Sequence, residues 1–200
     1  MVVAEGIETG GSSRYTLAGW LAIAQAVLIF PEIGVAVLAE YLLGSSPVIK
    51  MALAPIHVVS MVVGIYVLYM FRDLLGKRFE FHRTDNLLLI LIGANVVFII
   101  LGVLGLVLGL LFGAIEGLFD VLSLVLFVPY NIIVIAFGIR LLKLEDDLFG
   151  LLKPLVFMTI ASGVLGATII LAPLGLLAHI ASLVIVGMVF LRAKGELEFL

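Results

Sequence analysis

Long apolar stretches separated by short polar ones set the rhythm of the chain. They cover Leu17–Leu43, Val48–Phe71, Leu87–Gly113, Leu118–Leu142, Leu155–Leu171 and Leu174–Leu191. A helix needs about 20 mostly apolar residues to cross the roughly 30 Å hydrocarbon layer of a bilayer. The runs are continuous and lack the period-two alternation of a membrane β-barrel strand. The pattern therefore predicts an all-α, polytopic helix bundle with six transmembrane helices, in a single domain over 17–192. A cytoplasmic segment, 1–16, and a cytoplasmic tail, 193–200, flank it. The last two runs are short, at 17 and 18 residues, and are parted by little more than Ala172-Pro173. They read either as two thin spans or as one re-entrant hairpin.

Composition agrees and removes other classes. Of 200 residues 64% are hydrophobic and 12% charged, with a mean hydropathy of +1.37. Soluble domains run near half apolar and a quarter charged, so a cytosolic globular enzyme and a disordered chain are both excluded. With a net charge of −3 and no basic cluster, nothing marks a nucleic-acid partner. The absence of cysteine removes thiolate zinc sites, Cys-ligated iron–sulfur clusters, thiol nucleophiles and disulfides. The start of the chain, Met1 to Glu8, is acidic and has no basic n-region, so the first helix reads as retained rather than as a signal peptide.

The charges orient the spans. Arg14, Arg72, Lys77, Arg78, Arg83, Arg140, Lys143, Lys153, Arg192 and Lys194 all fall on one side of a six-span arrangement, which leaves Lys50 alone on the other. Basic residues are retained in the cytoplasm, so both termini are expected inside a multi-pass protein of the cell membrane.

Two patterns concern packing. Pro55–Leu68 aligns without a gap on Pro129–Leu142, matching Gly64 to Gly138 and His57 to Asn131, and Ala178–Leu191 follows more loosely. This predicts an internal repeat of three tandem αα-hairpins about an axis normal to the membrane. The third run carries a glycine zipper, Gly105, Gly109, Gly113 and Gly117, at four-residue spacing. Such spacing places small residues on one helical face and lets another backbone approach. It marks this helix as the most tightly packed, against a neighbour within the chain or against another copy in a homo-oligomer.

Ionisable groups inside the hydrocarbon are costly and usually face a bundle interior. Glu32, directly after Pro31, lies about 23 Å along the first run from Leu17. Gln25 and Glu40 stand seven and eight residues away on nearly the same face and extend a polar stripe. His57 in the second run is its natural partner, able to share a proton or to bind a cation with it. Asn95, Asn131 and His179 are the other deep polar groups. His82, in the segment Gly76–Arg83, is expected in a cytoplasmic loop whose Phe79 and Phe81 dip into the headgroups. Glu145-Asp146-Asp147 reads as a solvated turn.

These features favour a carrier or channel for a small solute or ion, with Glu32, Gln25, His57, Asn131, Asn95 and Glu40 as pathway or proton-relay candidates. A non-catalytic membrane subunit or scaffold of a larger complex is the alternative. A further alternative is a haem b anchor with His57 and His179 as axial ligands. No catalytic motif appears, and neither a metal nor any other cofactor is expected.

Overall fold

The computed structural model describes residues 9–43, 47–112, 116–168 and 170–197, and these are helical almost throughout. The helices are α1 (Thr9–Leu43), α2 (Pro47–Phe79), α3 (Asp85–Phe112), α4 (Glu116–Leu141), α5 (Leu152–Ala167) and α6 (Ala172–Leu197). A one-turn 3-10 segment, Leu148–Gly150, precedes α5. Helices satisfy their own main-chain hydrogen bonds, which is what a segment surrounded by hydrocarbon requires. Pro31, Pro55 and Pro129 sit inside α1, α2 and α4 without ending them. Each removes one main-chain donor and so frees the carbonyl four residues earlier.

Among the described residues, five helices are long and apolar enough to cross a membrane. The exception is α5, whose 16 residues rise about 24 Å. It ends at Ala167 rather than Leu171, and α6 starts at Ala172 with Pro173 in its first turn, where a missing N–H costs nothing.

Other boundaries differ because apolar runs report lipid contact and not helix length. The helix α2 continues to Phe79, eight residues past its expected end, because Leu74 and Leu75 are fully buried while Asp73 and Lys77 pair on the outer face at 2.9 Å. Glu80 then adopts a left-handed conformation (φ 49°), and the Phe81 N–H bonds the Leu75 carbonyl at 3.0 Å, closing the helix end. Phe81 is consequently core and Phe79 packs edge-to-face on Phe149, so neither ring belongs to a membrane-dipping loop.

Each helix packs on its neighbours in sequence, and α1 packs on α6, so the six close into a ring. The chain ends of α1 and α6, the α2–α3 turn and the α4–α5 turn meet at one end of this ring, which carries the basic residues other than Lys50. There the Arg78 guanidinium lies 4.8 Å over the Phe149 ring and donates to the Ala193 carbonyl, and Arg192 donates to the Phe149 carbonyl. The largest buried cluster fills this end, with Phe190, Leu74, Leu88, Leu141 and Leu148 all fully enclosed.

The seam closing the ring depends on small residues. On α1, Ala18, Ala22 and Ala26 repeat every fourth residue and are almost completely covered. A side-chain carbon added at Gly187 of α6 would lie 2.9 Å from the Gly19 carbonyl oxygen and 2.6 Å from Ile23. The α5 seams are as close: a carbon at Gly175 would stand 2.8 Å from the Gly166 nitrogen, and one at Gly163 would stand 2.9 Å from the Asn131 carbonyl oxygen.

The expected glycine stripe does not lie on one helix: Gly105 and Gly109 belong to α3, Gly117 falls in the first turn of α4, and Gly113 lies outside the described residues. Gly105 is buried against the Phe119 side chain, Gly109 is half-buried, and Gly117 has no neighbour within 4 Å. Less of α3 than of α6 is buried, which corrects the expectation that it is the most tightly packed helix. Substituting Gly187→Leu should lower stability by about 1–3 kcal/mol, the usual cost of overpacking. Gly117→Leu should leave it unchanged, as read from melting temperatures of the purified protein in one detergent.

Candidate functional site

The ring encloses a cavity of about 600 Å³ with wall residues from all six helices, among them Gln25, Gly64, Asn95, Asn131, Ser162 and His179. Phe71 and Phe137 line it at the basic end. Their rings meet edge-to-face at 6.3 Å, Phe71 meets Phe190 at 6.1 Å, and Phe190 stacks on Tyr15 at 6.1 Å. This aromatic floor closes the cavity toward the basic residues. In the other direction the wall reaches Ala172 and Pro173 at the opposite tip of α6, and Ile33 on α1.

Polar side chains interrupt the apolar wall at one level. Gln25, Asn95, Asn131, Ser162 and Ser182 each lie nine to eleven residues from a charged group at the basic end of their helix. At 1.5 Å per residue that is about 14–17 Å, or half the thickness of a hydrocarbon layer.

Their hydrogen bonds explain how they are tolerated. Asn95 Nδ2 donates to the Leu91 carbonyl and Asn131 Nδ2 to the Phe127 carbonyl, each at 2.8 Å, and Ser182 Oγ donates to the His179 carbonyl at 2.8 Å. These bonds run back along the same helix and satisfy one donor of each side chain. Gln25 Nε2 instead crosses to α2 and donates to the Ser60 carbonyl at 3.1 Å. Gly64 permits this, since a side-chain carbon there would lie 3.0 Å from that nitrogen. Gln25 Oε1 is buried without a protein partner.

Glu32 and His57 meet, with His57 Nδ1 2.8 Å from Glu32 Oε1 and side-chain exposures of 60% for His57 and 20% for Glu32. They stand above the belt. Glu32 follows Gln25 by seven residues and His57 precedes Gly64 by seven, so each continues a wall-facing stripe about 10 Å further from the basic end. The cavity climbs α1 as far as Ile33, which puts the pair at its mouth rather than on the wall proper.

The remaining sequence candidates divide. Glu40 lies in α1, but its side chain falls outside the described residues. His179 lines the cavity whereas His57 sits at the mouth, bonded to Glu32, so the wall offers one imidazole and not two for an axial haem pair. Among the described residues no three His, Asp or Glu side chains gather as a metal would require. His57 and Asn131, aligned as repeat positions, occupy different places, one at the mouth and one on the wall. His82 is exposed and contacts Asp85 at 3.0 Å in a small cleft near Arg72 and Asp73.

Thr159, Ser162 and Ser182 escaped the sequence reading. Their signal is a small-residue stripe on α5, Thr159, Ser162, Gly163 and Gly166, at helical spacing. Comparison with known proteins gives no match, either to a family model, to a curated protein or to a solved structure.

The Glu32–His57 bond joins two helices inside the membrane-spanning region, so removing one partner leaves the other uncompensated. Glu32→Leu and His57→Leu should each lower the melting temperature in nanodiscs. The double variant should lose less than their sum, by a coupling of about 0.5–2 kcal/mol. Strict additivity would show that the contact contributes nothing.

Proposed function

We propose that this protein is a small carrier of the cell membrane, crossing it six times with both termini in the cytoplasm, and that the central cavity binds its solute. The cavity itself carries this reading: about 600 Å³ enclosed by every helix of the chain, floored by aromatic rings at one end and leading to the other. Pockets of 300–1,000 Å³ are the usual size for small-molecule sites. A cavity closed on one side only is what a carrier holds in one of its alternating states.

The wall chemistry selects the cargo. Among the described residues the lining contains no carboxylate, ammonium or guanidinium group. An ion would enter without a counter-charge and lose its hydration, a cost far above what neutral amides and hydroxyls repay. The solute is therefore uncharged, and its route runs from the Glu32–His57 mouth past Gln25, Asn95 and Asn131 to the floor at Phe71. The concentration of basic residues at the floor end supports the inside assignment for that end.

A ligand that binds only the folded state raises its melting temperature. Uncharged solutes graded from glycerol to long-chain alcohols, tested on the full chain in nanodiscs, should contain members that raise it. Ser162→Trp, which puts an indole into the cavity, should abolish the shift. The stabilising solutes should then equilibrate across proteoliposomes faster than across empty vesicles. If no uncharged solute separates wild type from Ser162→Trp, the cavity is not a binding site and the carrier reading falls.

A further inference from the structure

We infer that the solute is an amphiphile, with an apolar body held in the cavity and a hydrogen-bonding head held by Glu32 and His57 at its mouth. The inference rests on the carrier reading and specifies what that site takes. Its first support is the wall. Asn95, Asn131, Ser182 and Gln25 each direct one donor to a main-chain carbonyl, three of them within their own helices. Apolar side chains, among them Val67, Leu68, Val134, Leu155, Leu176 and Val186, make up most of the surface facing the space, beside the Thr159 and Ser162 hydroxyls and the His179 imidazole. Such a wall gains free energy from covering hydrocarbon and offers a polar body little.

The second support is the pair itself. Among the described residues Glu32 and His57 make no hydrogen bond except the one that joins them, and the imidazole is the more exposed partner, at 60%. The contact uses one carboxyl oxygen and one ring nitrogen, which leaves Glu32 Oε2 as an acceptor and His57 Nε2 as a second polar site for a further hydrogen bond.

The third support is placement. Ile33 lines the cavity and is the residue next to Glu32, so the apolar space ends at the height where these two polar sites begin. A head that donates, as a hydroxyl or a primary amide does, satisfies the Glu32 acceptor oxygen. An analogue that lacks the donor leaves that carboxyl, the less exposed partner at 20%, without a second hydrogen bond and binds more weakly.

Three probes of equal chain length test this on the full chain in nanodiscs: 1-decanol, its methyl ether and decane. Wild type should bind decanol at least about tenfold more tightly than the ether, one hydrogen bond's worth of 1.4 kcal/mol, with decane weakest. In Glu32→Leu/His57→Leu the alcohol and ether should bind alike, at the strength of the wild-type ether complex. His57→Gln, which keeps a donor and an acceptor, should retain preference for the alcohol and guards against reading a folding defect as lost recognition. Equal binding of alcohol and ether by wild type, with both lost in Ser162→Trp, overturns the head assignment while the cavity stands. Binding of all three that is indifferent to Ser162→Trp reports partition into lipid and overturns the cavity reading as well.

Discussion

The closure of α1 against α6 is the contact on which the rest of the architecture depends. In hydrocarbon no hydrophobic force drives helices together, so the seam relies on close packing and on contact between backbones. Gly19 on one side and Gly187 on the other supply it, their main chains opposed, and Ala26 packs in a cluster with Ile180 and Leu183 of α6. Without that approach the six helices form an open row, and the same side chains that line the cavity face lipid. The contact between α1 and α6 thus turns a set of helices into a ring around a cavity.

The two ends of the ring are built by different physics. At the basic end, aromatic edges, a cation over a ring and guanidinium-to-carbonyl bonds knit the turns to one another. The turn there runs through three successive left-handed residues, Leu148, Phe149 and Gly150. A non-glycine residue in that conformation costs about 1–2 kcal/mol. It persists because Leu148 is fully buried and because Phe79, Arg78 and Arg192 all hold Phe149. Toward the other end α1 and α2 rely on isolated polar bridges, Gln25 to Ser60 and Glu32 to His57, among residues that are largely exposed.

The sequence made the helical class, the number of helices and the segregation of charge legible, because bilayer thickness and electrostatics act on runs and sums of residues. It also singled out Glu32 and His57, since an ionisable group stands out against Leu and Val. The ring closure was not legible, because Gly19 and Gly187 are far apart in sequence and small residues are common in any membrane helix. The glycine spacing misled because it ran across a helix boundary: Gly105 packs on Phe119, whereas Gly117 belongs to α4 and meets nothing. The cavity belt stayed hidden because Ser162 and Thr159 do not differ locally from residues that merely bond their own helix.

The uncharged wall has an energetic consequence for direction. A charged cargo gains or loses about 2.3 kcal/mol per elementary charge for every 100 mV across the bilayer. Among the described residues the polarity of this wall comes from amides, hydroxyls and a single imidazole. Under the carrier reading proposed above, a neutral molecule passing along it would be blind to the membrane potential, and its net movement would follow its own concentration difference and stop when the two sides are equal.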